Sequence, residues 1–234
     1  MISMIRLFLT LTKINNRQAL RYPLQAALRL LASIVFLLMF ALAARSTSKA
    51  DLAESLLATL IVFLSIVALT KTANLLESEA REEVFLYPYP IWKLQLVRAF
   101  SVSALSTLGL VAVYGLLAGS WAQFGSAFLL IVFAYLGAVG LGLSLFGLHL
   151  LFVKTDFLVN VVLIGILTLA FLPMEKAPPW VEWVPLVNVV RVAQGFSEGD
   201  LGVLIANVGI VALGILVAGY AEREVVRRGI AGLA

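Results

Sequence analysis

The chain has 234 residues, 62% of them apolar and only 13% charged, with a mean hydropathy of +1.05. A soluble domain carries about 45–50% apolar and about 25% charged residues, so the composition excludes an ordinary soluble fold and intrinsic disorder and indicates a membrane protein. The absence of cysteine and the single histidine, His149, exclude disulfides, thiolate chemistry and any metal site needing two such ligands, while the net charge of +4 reports loop basicity and gives no argument for nucleic acid.

The chain begins with an amphiphilic stretch, residues 1–22. At about 100° per residue, Arg6, Lys13, Arg17 and Arg21 share an arc of about 80°, with Met4, Leu7, Phe8 and Leu11 away from it. This predicts an interfacial helix over residues 1–25 whose basic face meets anionic headgroups, with Pro23 marking the bend into the membrane.

A membrane-crossing helix needs about 20 mainly apolar residues. Six uncharged runs of that order follow: residues 30–44, 56–70, 99–118, 127–153, 157–173 and 201–220. The first, second and fifth are short and borrow flanking residues, with Arg29 and Lys71 reaching back toward a surface. With both ends inside, thirteen of the seventeen basic residues face inward, and only Arg45, Lys49, Lys176 and Arg191 face outward. That bias predicts an N-in, C-in topology for an all-α integral membrane protein, a single transmembrane domain over 1–234. Ala41-Leu42-Ala43 resembles a signal-peptidase site, but the basic region ahead of Leu30 is too long for a signal peptide's charged start.

Carriers driven by protons or ions need a titratable carboxylate or paired charge within the bilayer, because its changing protonation or occupancy drives the cycle. Here the acids lie outside all six runs: Asp51 and Glu54; Glu77, Glu79, Glu82 and Glu83; Asp156; Glu175, Glu182, Glu198 and Asp200; and Glu222 and Glu224 in the tail. His149 falls inside the fourth run, where a neutral imidazole bonded to a neighbouring helix is the simpler reading. No Gly-Lys dipeptide occurs, so the phosphate-cradling loop of nucleotide hydrolases is absent. No catalytic, cofactor-binding or metal-binding residue is expected on this chain, and the chain is not expected to be an enzyme by itself. If ATP supplies the energy, ATP and Mg sit on another subunit.

Two further segments are amphiphilic. Residues 76–93 are acidic first, with Glu77, Glu79, Glu82 and Glu83, and then apolar in Val84-Phe85-Leu86-Tyr87 before Pro88 and Pro90 stop the helix. Such an apolar block in an inner loop calls for a cover. Residues 173–200 carry Pro173, Pro178, Pro179 and Pro185, with Trp180 and Trp183 three apart and an apolar stretch broken by Asn188, Arg191 and Gln194. This is too broken to span and too apolar for a free loop. It predicts a pair of short helices dipping into the outer leaflet, with tryptophans at headgroup depth; a plain aromatic anchor would look similar. Within the fourth run, Gly137, Gly140, Gly142 and Gly147 predict a closely packed interior helix.

Taken in order, this layout resembles the membrane subunits of type-2, export-type ABC transporters over essentially the whole chain. The run from Glu77 to Pro88, with Arg81-Glu82 where many members have Gly-Thr, looks like their inner coupling helix (residues 77–88). The run from Pro179 to Arg191 looks like their outer re-entrant hairpin. Pro185-Leu-Val-Asn188 followed by Gly199-Asp200 is similar to the branch that includes sodium-efflux permeases. The resemblance implies a permease in the plasma membrane, of bacterial type. It would pair with a second permease chain, identical or related, and rest on a cytosolic ABC ATPase subunit, with lipids as its other neighbours. Glu77, Glu79, Glu82, Glu83, Val84, Phe85 and Leu86 would then couple to the ATPase, and Pro179, Trp180, Trp183, Pro185 and Asn188 would form the outer gate. Two other classes stay open: a secondary carrier or channel using His149, Asn160 and Asn207 without an ATPase, and a non-transporting scaffold.

Overall fold

The computed structural model describes residues 4–47, 52–73, 90–100, 110–112, 114–116, 124–152, 156–170, 178–195 and 201–228. Among them the regular structure is entirely helical. Helix α1 is Met4–Arg21, and after Tyr22 the chain turns into α2, Pro23–Thr47. A proline suits this first helical position, because the N–H it lacks would have no intrahelical partner there. Next come α3 (Leu52–Ala73), α4 (Ile91–Phe100), α5 (Phe124–Leu151) and α6 (Asp156–Ala170). A short 3-10 helix, η1 (Pro179–Trp183), and α7 (Val187–Ala193) form a hairpin ahead of α8 (Leu201–Arg228).

Three stretches are long and apolar enough to cross a membrane: Glu54–Ala73 of α3, Ala127–Leu151 of α5 and Leu204–Arg227 of α8. At about 1.5 Å per residue each matches or exceeds a hydrocarbon core of about 30 Å. The chain is therefore a helical membrane protein, and these helices coincide with the second, fourth and sixth apolar runs. The apolar stretches Pro23–Val35 of α2 and Phe157–Ala170 of α6 are shorter. At 15 residues, α6 extends for about 22 Å. Most of the third run, 99–118, falls outside the described residues, as does the expected coupling helix 77–88.

Helix α5 is the centre of the bundle, with its most extensive contact on α8 and the next on α3. Glycine is the cause. A Cβ at Gly140 would lie 2.6 Å from the backbone of Ile210 and Val211, and one at Gly214 would lie 2.4 Å from the Gly140 carbonyl oxygen. Gly147 rests on Ala218 of α8 in the same way, while Gly142 faces α3, where a Cβ would lie 2.6 Å from the Thr72 Cβ. Small residues on two faces of α5 thus let both neighbours approach backbone to backbone, which is how helices gain dispersion contact in a solvent as apolar as their own side chains. In α3 the hydroxyls of Thr59, Thr70 and Thr72 donate to the carbonyls of Ser55, Ile66 and Ala68 at 2.7, 2.7 and 2.6 Å, so they demand no partner from outside their own helix. Long stretches of the described surface are apolar. Leu24, Leu28, Leu31, Val35, Met39 and Leu42 make one exposed stripe on α2, and Ile205, Val208, Leu213 and Leu216 are exposed on α8, as lipid-facing surfaces require.

Candidate functional site

The hairpin of η1 and α7 is built on one side chain of α8. Asn207 is fully buried, and its Oδ1 accepts the Leu186 backbone N–H at 2.6 Å. Its Nδ2 donates to Asn188 Oδ1 at 3.0 Å and to the Leu204 carbonyl at 3.2 Å. Both amide hydrogens are used. The reversed amide would set its NH2 against the Leu186 N–H, so the network itself selects the orientation. Asn188 Oδ1 also accepts the Val189 N–H at 2.7 Å. Gly137 of α5 makes room for this arrangement, since a Cβ there would lie 2.3 Å from Asn207 Oδ1.

Leu186, the residue held by Asn207, has φ 70° and ψ −49°, an uncommon backbone conformation for a side chain with a Cβ. Conformations of this kind cost about 1–3 kcal/mol and persist only where surrounding contacts over-determine them. Here the Asn207 bond and burial of the Leu186 side chain do so. The Leu186 carbonyl then accepts the Val190 N–H at 3.2 Å and starts α7. The helix stops at Gly195, whose φ of 70° and N–H bond to the Val192 carbonyl at 3.0 Å make a glycine C-terminus.

The five residues expected at an outer gate separate into two groups. Trp180 and Trp183 are 57% and 65% exposed, and Pro179 is exposed beside them. Asn188 is buried, and Pro185 is half-buried between the two groups. The polar breaks in the stretch are not its wet side: Asn188, Arg191 and Gln194 are all buried, and α7 packs against α3, α5 and α6. Arg191, at 2% exposure, heads the largest fully buried side chains among the described residues. Beside the end of α7, a Cβ on Gly195 would stand 3.8 Å from Glu54 Oε1 of α3. The hairpin therefore sits within the helical bundle, where its tryptophan edge faces out and its amide and guanidinium edge faces in.

A second junction closes the opposite end of the bundle. Glu222 Oε1 accepts the Ile91 N–H at 3.0 Å, so a carboxylate from α8 caps the N-terminus of α4, where backbone N–H groups lack helical partners. Around it Ile91, Phe146, Leu150, Ala218, Ala221 and Val225 form a separate buried cluster flanked by Trp92. Lys93 places its Nζ 5.5 Å from the Trp92 ring centre. Glu222, placed by the sequence in the tail, thus joins α8 to the start of α4. Glu222→Ala should lower stability by about 1 kcal/mol and fray α4, read as lowered protection of its first amides in hydrogen exchange, while Glu222→Gln keeps an acceptor oxygen and should restore most of the loss.

The expected coupling residues Glu77, Glu79, Glu82, Glu83, Val84, Phe85 and Leu86 lie outside the described residues. His149 is half-buried near the end of α5, and Asn160 is exposed on α6, well separated in sequence from the Asn207 node. Among the described residues no three His, Asp or Glu side chains gather as a metal ion would need. Asn207 was legible only as a polar residue in an apolar run. Its partners at Gly137, Leu186 and Asn188 carry no sequence pattern that links them. No protein-family model matches the chain, and no curated protein matches it.

Proposed function

We propose that this chain is the permease subunit of a type-2, export-type ABC transporter, moving a substrate outward with ATP hydrolysed by a separate cytosolic subunit. The observation that carries the reading is the hairpin of η1 and α7. Two helices too short to cross a membrane lie together against the long helices, α7 buried and η1 seated through Val181, and the turn between them is tied to α8 through Asn207. A plug of this kind at one end of a bundle suits an outer gate, with Pro179, Trp180 and Trp183 at the rim and Pro185 and Asn188 toward the interior. Six crossings with both ends inside would put residues 77–88 on the cytosolic side. There Glu77, Glu79, Glu82 and Glu83 would face the ATPase, and Val84, Phe85 and Leu86 would fill a cleft in it. Six helices make a thin-walled path, which favours pairing with a second permease chain. The plasma membrane of a bacterial-type cell is the expected site.

Closure of the ATPase on ATP would press on residues 77–88 and reach α4 directly through the chain, and α8 through the Glu222 cap. Helix α8 carries Asn207 fifteen residues earlier, about 22 Å along its axis. One rigid helix would thus connect the coupling end to the hairpin. Phe85→Asp or Leu86→Asp should abolish co-purification with the ATPase and ATP-dependent transport while leaving the thermal unfolding of the spans unchanged. Full co-purification and transport in both variants would refute the reading.

A further inference from the structure

Residues 1–50 contain seven basic residues and no acid; the first carboxylate in the chain is Asp51. Four of the seven, Arg6, Lys13, Arg17 and Arg21, lie on α1, and all four are exposed. Their spacing makes a row about 22 Å long on one side of the helix. Thr10 falls within that row, but its hydroxyl donates to the Arg6 carbonyl at 2.8 Å, so its hydrogen is already committed.

The flanks of the row are apolar. Ile5 and Leu9 are exposed on one side of it and Ile14 on the other, with Leu20 exposed near its end. Away from the row Phe8, Thr12 and Asn16 are half-buried, and α1 packs against α2 and α4. The Arg21 guanidinium stands 6.0 Å from the centre of the Tyr22 ring, and Tyr22 is the single residue before α2 begins. The end of the row is thereby fixed to the head of an apolar helix.

A groove for a nucleic-acid backbone or an acidic protein segment would set its cations among polar residues. Cations bordered by isoleucine and leucine instead match the depth at which headgroup phosphates give way to acyl chains, because the stems and neighbours enter the apolar layer while the charged ends stay among the phosphates. We infer that the exposed face of α1 is a binding surface for acidic glycerophospholipids, holding several headgroup phosphates along Arg6, Lys13, Arg17 and Arg21. The length of the row suits a line of headgroups and not one enclosed phosphate. The inference concerns the lipid neighbours of the permease and stands apart from how transport is driven.

The test is competitive lipid retention by the intact chain. The chain is delipidated in mild detergent and offered equal phosphatidylglycerol and phosphatidylcholine, and the bound lipids are counted by native mass spectrometry. The intact chain should retain phosphatidylglycerol at least tenfold over phosphatidylcholine at about 0.1 M salt and lose most of that preference near 1 M, where the screening length shrinks to about 3 Å. Each cation near an anionic surface contributes about fivefold, so Arg6→Gln, Lys13→Gln, Arg17→Gln and Arg21→Gln together should abolish the preference. Arg6→Lys, Arg17→Lys and Arg21→Lys together keep the charge and should keep the preference, which separates lost charge from a misfolded helix. Arg223→Gln with Arg227→Gln, exposed cations on α8, should leave it intact. The inference is overturned if the intact chain shows no preference, if the glutamine variant retains it, or if the α8 variant loses it equally. A protein or RNA that stays on α1 against excess phosphatidylglycerol would overturn it too.

Discussion

Alanine at Gly140 or Gly214 should lower stability by about 3 kcal/mol, whereas alanine at Gly209, on the same α8, should be neutral or stabilising by up to about 1 kcal/mol. The added Cβ at Gly140 meets the backbone of Ile210 and Val211 at 2.6 Å, and at Gly214 it meets the Gly140 carbonyl oxygen at 2.4 Å. Backbone cannot rotate out of the way. The helices must move apart along the whole seam, losing the contacts at Gly137 and Gly147 together with the local one. At Gly209 and Gly165 nothing lies within 4 Å, so the only change is relief of glycine's unfolded-state entropy. Unfolding in detergent, with α8 intact in each variant, measures the difference. Equal effects at Gly140 and Gly209 would mean that the two helices are not interlocked.

Asn207→Leu should cost about 2–4 kcal/mol and release the hairpin before the rest of the bundle unfolds. The substitution strips the buried Leu186 N–H of its acceptor, a loss of about 1–3 kcal/mol, and takes a donor from Asn188. It also removes one of the restraints that keep Leu186 at φ 70°. Asn207→Asp would keep an acceptor for Leu186 but set a carboxylate oxygen against Asn188 Oδ1, so it should be at least as damaging. Gly137→Ala displaces the same amide and should reproduce the effect. Because both variants break one junction, their costs should combine to less than the sum. Hydrogen exchange at residues 187–190 reads the release directly. In the proposed transporter the same variants should leave ATP hydrolysis running while transport falls, since the coupling end is untouched.

What composition reveals here is governed by the bilayer. A long apolar run has few alternatives to a spanning helix, which is why α3, α5 and α8 stand out in the sequence before any fold is known. Gly137, Gly140, Gly142 and Gly147 of α5 are likewise readable as close-packing positions, but not the division of labour among them: Gly142 serves α3, and Gly140 and Gly147 serve α8. The hairpin is harder. Asn188, Arg191 and Gln194 read as breaks in an apolar stretch with no sign of which way they face, and they are turned inward, where other parts of the chain bury them. Hydropathy scores a residue by its own chemistry and carries no information on a partner like Asn207, nineteen residues beyond Asn188. The role of Glu222 is hidden for the same reason, since its partner Ile91 lies 131 residues away and is a backbone N–H that every residue but proline offers.

The proposal that ATP hydrolysed by another subunit drives transport through this chain can be tested at a single position. The chain contains no cysteine, so Phe85→Cys gives one thiol in an otherwise unreactive protein. Cross-linking from that thiol in native membranes should capture a nucleotide-binding subunit, with a yield that changes when a non-hydrolysable ATP analogue is added. A thiol labelled freely by water-soluble and lipid-soluble reagents, untouched by nucleotide, in a chain that still moves solute after purification alone, would contradict it.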